Sequence, residues 1–317
     1  MCYNTTSATG ETSNWTNRIF YDSFESSWKN SFMIDTWNNS QFCCSDPLVS
    51  PTYNTLDNVI SSELLTMRVS PFQGERIVAY SSSITSWRDD VLYGSFRMSA
   101  KMSPVEGTSF GFFFFYSVTE EIDIEVLAHE QNEGKIRVSI QPIIRDNLNR
   151  ASNLSQKVIQ LDRSLSNEFV EYRFDWFKTR VDFFVDSTYY HSLNVNIPSH
   201  HGKIVINHRS NGNPRWSKGP PETSSDVQIR TLDLYFNSSE SNDCRSINYG
   251  ERTINFQNEE LKKYIAPIVI GCLVFVIISV AVVVNVYRQL YPQRPTVALR
   301  RVINGEVGDM SISQRRP

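Results

Sequence analysis

The chain has 317 residues, enough for one large domain with extras or for two small ones. Its formal net charge is −3, with acids and bases scattered, so nothing marks it as a nucleic-acid binder, which would need a basic patch or stripe. Aromatics make up 12% of the residues, which suits a β-rich core or a carbohydrate-binding surface.

Residues 1–18 are rich in Gly, Ser, Thr and Asn and read as a flexible N-terminal arm. The start, MCYNTTSATG, has neither a basic segment nor an apolar one. A domain that must cross a membrane needs such a signal, so the expectation is that it has been removed or that the recorded start lies downstream of the true one. From residue 19 to about 240, short apolar runs alternate with turn signals, as in an all-β domain. In YGSFRMSAKM, Phe96, Met98, Ala100 and Met102 share one face. The run Phe112 to Phe115 reads as a buried strand and not as a ligand platform. In GKIRVSIQP, Ile136, Val138 and Ile140 point one way, and Arg137, Ser139 and Gln141 the other. EYRFDWF and VDFFVDS flank Lys178-Thr179-Arg180 as a hairpin, with Trp176 in the core. No long helical period precedes residue 260, so a two-sheet sandwich is expected.

Residues 241–263 form a charged juxtamembrane linker. Residues 264–286, YIAPIVIGCLVFVIISVAVVVNV, carry no charge, and at about 1.5 Å rise per residue they exceed the roughly 30 Å hydrocarbon core. A transmembrane helix is expected there. The tail 287–317 holds six arginines against Glu306 and Asp309, which places it in the cytoplasm and the first ~260 residues outside. Five N-x-S/T acceptor patterns, at Asn4, Asn14, Asn38, Asn153 and Asn237, all precede the span. Cys272 lies within the span. Cys2, Cys43, Cys44 and Cys244 remain outside, an even number that allows three disulfide pairings. Cys43 and Cys44 are neighbours and should each pair elsewhere. No Cys/His cluster suggests a metal site, and no cofactor is expected.

The segment Thr119-Glu120-Glu121-Ile122-Asp123-Ile124-Glu125-Val126 alternates strictly. Ile122, Ile124 and Val126 take one face of a strand; Glu121, Asp123 and Glu125 take the other. Three like charges in a row are destabilising, so either this is a solvated acidic edge or the repulsion serves chemistry. Glycosidic cleavage by two carboxyls needs one ionised and one protonated, and crowding acids drives their pKa values apart. Glu121 and Glu125 are ~13 Å apart at Cα on a flat strand and reach the ~5–5.5 Å carboxyl spacing of a retaining pair only on a curved sheet. Asp123 between them can orient the nucleophile or hold a shared proton.

The run YGSFRMSAKM, GTSFGFFFFY and EEIDIEVLA resembles the catalytic core of family 16 glycoside hydrolases, with its E-x-D-x-E strand. EYRFDWFKTRVDFFVDS and GKIVINHRSNGNPRW resemble that family's downstream strands, and WSKGPP with LDLYFN is similar to its fungal membrane-anchored branch. The resemblance implies a concanavalin A-like β-jelly roll and a retaining glycosidase or transglycosylase on β-glucan of β-1,3 or mixed linkage. It implies Glu121 as nucleophile, Asp123 as its partner and Glu125 as acid/base, with Asn207, Arg209 and Trp216 toward the sugar. On this reading hydrogen bonds keep Glu121 ionised and acidic neighbours keep Glu125 protonated. This chain departs from the family at Thr119 and Arg209, where Trp is frequent, and at Ser187, where a Gly follows Val-Asp. Trp216 reads as either a stacking platform or local packing, and Asn207 as a ligand of a sugar hydroxyl or of Glu121, or as a satisfied strand Asn. A catalytically weak glycan-binding module at the cell surface is the alternative function.

Overall fold

The computed structural model describes residues 2–6, 10, 12–36, 52–71, 79–166 and 168–238. All lie in one compact unit, Met1–Ile247. The first strands are β1 (Tyr3–Thr6), β2 (Thr12–Trp15), β3 (Asn17–Tyr21), β4 (Phe32–Ile34), β5 (Thr52–Asn54) and β6 (Val59–Ser61). Next come β7 (Leu65–Val69), β8 (Ala79–Ser86), β9 (Val91–Lys101), β10 (Ser109–Ser117), β11 (Glu120–Leu127) and β12 (Lys135–Ile140). The last are β13 (Gln156–Gln160), β14 (Val170–Trp176), β15 (Val181–Val185), β16 (Thr188–Leu193), β17 (Lys203–Arg209) and β18 (Ser225–Ser238).

Two sheets form the sandwich. One has the order β13-β12-β11-β10-β17-β8-β4, with β5 parallel to β8; the other runs β16-β15-β14-β9-β18-β7-β6, with β3 paired to β18. The alternation in the sequence is what turns one face of each sheet inward. On β9, Phe96, Met98 and Ala100 are fully buried; on β11, Ile122, Ile124 and Val126 are; on β12, Ile136, Val138 and Ile140 are. Aromatic contacts tie the layers together. Phe112 of β10 meets Phe174 of β14 at 5.4 Å between ring centroids, and Phe114 meets Trp176 at 4.2 Å. Trp176 is in the core as expected, its indole N–H donating to the Pro198 carbonyl at 3.2 Å.

Two expectations change. The described residues among 1–18 are not a free arm: β1 and β2 pair antiparallel, Trp15 is buried, and its Nε1 donates to Thr5 Oγ1 at 2.7 Å. Trp15 also packs on Phe177, and Arg173 of β14 donates to the Thr6 carbonyl at 3.0 Å. The hairpin is worth ordering because it covers an indole and caps a buried guanidinium. The Phe112–Phe115 run is only half core. Phe112 and Phe114 face inward, while Phe113 and Phe115 take the opposite face, with Phe115 36% exposed.

Cys2 is disulfide-bonded. Cys43, Cys44, Cys244 and Asn38 lie outside the described residues, as do the expected linker 241–263, span 264–286 and tail 287–317. Among the described residues no helix is long and apolar enough to cross a membrane. Asn4 and Asn14 are exposed and directly opposite one another across the β1–β2 pair, and Asn153 is exposed. Asn237 is half-buried, its Oδ1 accepting from the Thr16 N–H at 3.1 Å.

Candidate active site

The acidic strand β11 lies between β10 and β12, and the register fixes what surrounds each carboxyl. Glu125 is opposite Gly111 and Arg137; Asp123 is opposite Phe113 and Ser139; Glu121 is opposite Phe115. One strand further, Gly111 is opposite Asn207. Because side chains alternate, these residues all rise from the face that the core does not use. All of them except Phe115 line a cavity of about 300 Å³, together with Gln141, Ile143, Arg145, Gln156, Arg209 and Trp216.

Every sequence-predicted catalytic and sugar-facing residue therefore lines one cavity. Asn207 falls in the row of Glu125, not that of Glu121. Gly111 keeps this row open: a Cβ there would come within 2.9 Å of Asn207 Oδ1. Trp216 is turned toward the cavity by Asn213, whose Oδ1 accepts from the N–H groups of Arg215 at 2.8 Å and Trp216 at 3.3 Å. This favours the cleft-facing reading of Trp216 over local packing. Arg209 sits with its guanidinium 3.7 Å from Glu125 Oε1.

Asp123 is the hub. Its Oδ2 accepts from Ser139 Oγ at 2.8 Å and Gln141 Nε2 at 3.2 Å, and its carboxyl also shares a hydrogen bond with Glu121. Two carboxyls can bond only if a proton lies between them. Burial, then the Asp123 charge and that bond, push Glu121 up to about 9. Burial also raises Asp123, against the pull of Glu121, Ser139 and Gln141. Burial and that bond thus favour the protonated form of Glu121. This corrects the expectation that hydrogen bonds keep Glu121 ionised. Glu125 is raised, as expected, but burial is the main cause; Asp123 adds to it, while Arg209, a hydrogen bond from Trp216 and Arg137 oppose it. Adjacent Glu120 is different. Burial acts to raise it, but hydrogen bonds from the Ser199 and His200 N–H groups and the His200 ring outweigh that and lower it.

Sequence reasoning did not assign Arg137, Ser139, Gln141, Arg145 or Gln156 to the site. Among the described residues no group of three His, Cys, Asp or Glu side chains is arranged to hold a metal ion.

A jelly-roll sandwich with a file of three half-buried carboxyls on the cavity-lining face of one sheet is the architecture of a glycan-cleaving fold. The profile of glycosyl hydrolases family 16 matches residues 45–253, more than half of the chain, and the chain belongs to that family. Curated relatives include β-glucanases of Paenibacillus polymyxa and Paenibacillus macerans, 31% and 32% identical over 120 residues. Each match takes in 36% of this chain, and the chain spans about half, 47%, of each relative's length. Solved structures of similar fold include the Bacillus licheniformis β-glucanase, with TM-score 0.56 and 17% identity over 69% of this chain and 97% of that one. The endo-β-1,3-glucanase of Pyrococcus furiosus has TM-score 0.54 and 14% identity over 74% of this chain and 99% of that one.

Proposed function

We propose that this protein is an endo-acting retaining glycosidase or transglycosylase on β-glucan of β-1,3 or mixed linkage. The observation that carries the reading is the file Glu121, Asp123, Glu125 in the lining of one cavity, the first two sharing a hydrogen bond. When a sugar enters, the proton passes to Asp123 within the existing hydrogen bond, leaving Glu121 as a carboxylate. Glu121 attacks the anomeric carbon while Glu125 gives its proton to the departing oxygen. Water or a sugar hydroxyl then loses its proton to Glu125 and displaces Glu121, which regains its hydrogen bond from Asp123. Asn207, Arg209 and Trp216 take the sugar hydroxyls and ring faces around the scissile bond.

The test is incubation of the chain with labelled β-1,3-, mixed-linkage and β-1,4-glucans. Shortened products mark hydrolysis and elongated ones transglycosylation. No change in any of them would leave the weak glycan-binding module, which the Arg209–Glu125 contact favours because a guanidinium beside an acid/base opposes its protonation.

We further propose that the chain belongs to the fungal membrane-anchored branch. A single pass through residues 264–286 would hold the 19–240 domain at the plasma membrane, facing out toward cell-wall glucan. The apolar run, the arginine-rich tail and the exposed acceptor residues Asn4, Asn14 and Asn153 support it. Protease added outside intact cells should remove the domain and spare 287–317, and deglycosylation should lower the apparent mass. A domain protected from external protease would overturn the orientation.

A further inference from the structure

The sheet face that carries the acids does not stop at the cavity. Glu121 of β11 is directly opposite Phe115 of β10, and Phe115 is directly opposite Lys203 of β17. On β17, Ile204 and Ile206 are buried in the core, so Lys203, Val205 and Asn207 stand on the acid-bearing face. The next strand is β8, where Ser83 is opposite Asn207 and Thr85 is opposite Val205. Pairing between β8 and β4 runs one residue past the end of β8, because the Trp87 N–H donates to the Ser31 carbonyl at 2.8 Å. Alternation therefore carries Trp87 to the face of Ser83 and Thr85, in the row of Lys203, Phe115 and Glu121.

Two aromatic rings in this row are open to solvent: Phe115 is 36% exposed and Trp87 is 50% exposed. Scattered surface aromatics are ordinary, but these two share a row with Glu121. Only β17 separates their strands, so at ~4.8 Å per strand their backbones stand about 10 Å apart, roughly the length of two linked sugar rings. Neither ring lines the cavity, although Phe113, two residues from Phe115 on the same face, does. The Trp87 ring is held still, its Nε1 donating to the Lys29 carbonyl at 3.0 Å. An indole whose only N–H is spent on backbone offers its flat apolar face and nothing else. Lys203, half-buried between the two, carries three N–H donors for hydroxyls.

We propose that Phe115, Lys203 and Trp87 form an outlying subsite, a track for the further sugar rings of the glucan chain held at Glu121. This rests on the reading of the cavity as the site of a β-glucan chain. It adds the path by which that chain leaves the acids: across β10, β17 and β8, away from β12. Pyranose rings lay their C–H faces on Phe115 and Trp87, and Lys203 donates to the hydroxyls between them. A chain too short to reach Trp87 loses the outermost contact, so binding depends on length.

The experiment uses the full chain in detergent solution, ¹⁵N-labelled at tryptophan, and Glu121→Gln as host so that nothing is cleaved. The probes are linear β-1,3- and mixed-linkage gluco-oligosaccharides, from di- to octasaccharide. The Trp87 indole resonance is the one missing from Trp87→Phe. It should ignore the disaccharide and move with the longest probes. Affinity should climb with length, and Trp87→Ala should remove the last step of that climb, about tenfold for the octasaccharide, with Trp87→Phe restoring most of it. With Glu121 intact, Trp87→Ala should raise KM on long chains far more than it lowers kcat. If Trp87→Ala does not fold, the Trp87 resonance in the host carries the test. A Trp87 resonance that ignores the octasaccharide, or a length dependence unchanged in Trp87→Ala, would overturn the subsite and leave the glycosidase reading. A Trp87 resonance that responds in a protein whose parent cleaves no glucan would remove the glycosidase reading and leave the subsite standing. Binding of no probe at any length would overturn both.

Discussion

At the scale of single residues, the acids are more than a row of like charges, because burial raises all three toward their neutral forms and Glu121 shares a hydrogen bond with Asp123. Glu121→Gln removes the proposed nucleophile but keeps an N–H for Asp123. Turnover should fall at least ~10⁴-fold, while thermal unfolding stays at or above that of the parent. Residual turnover near normal would refute the assignment, and an unfolded variant would make the acids structural. Glu125→Gln should harm substrates with poor leaving groups most and activated aryl glycosides least. The three acids were legible in the sequence because strict alternation announces a face, whereas Asn207, Arg209 and Trp216 came only from the resemblance to family 16. Arg137, Ser139 and Gln141 showed the right alternation, but nothing in the sequence says which strand lies beside β11.

Among the elements, the strands were the most legible part, and the missed ones show why. A run of four phenylalanines carries no polar alternation, so the outward pair Phe113 and Phe115 could not be told from the inward pair Phe112 and Phe114. The N-terminal hairpin is short and polar and owes its order to Trp15 and Arg173, which are contacts and not propensities. The β15–β16 connection bears its cost openly. Asp186 and Ser187 both have positive φ, 47° and 62°, in a two-residue loop that favours Gly at the second position. Ser187→Gly relieves that strain and loses one exposed hydrogen bond to Glu171. The expected gain is about 0.5–1 kcal/mol, read as a higher denaturant midpoint with an unchanged slope. A loss of stability would show that the left-handed backbone is not costly here.

For the whole molecule, stability should depend on pH through two groups of opposite sense. Burial pushes His208, wedged against Ser109 and Ser225, down to about 4. Between about 6.5 and 4 the unfolded chain takes a proton that the folded one refuses, so stability falls as pH falls, by about 3 kcal/mol in all. Glu121, pushed up to about 9, works the other way: its neutral form is the one that folding favours, so stability is lost as pH rises from about 4.5 to about 9. Thermal unfolding across pH should flatten on its acid side in His208→Gln and on its alkaline side in Glu121→Gln. Unchanged slopes in both would refute the two assignments. The strand order also has a consequence in time. The 14-residue β18 is the last of the described strands, yet it lies inside its sheet, between β9 on one side and β7 and β3 on the other. During synthesis those three strands must wait with open hydrogen-bonding edges until residues 225–238 arrive, which makes the unfinished chain a template for mispairing and a client for chaperones until its closing strand slots home.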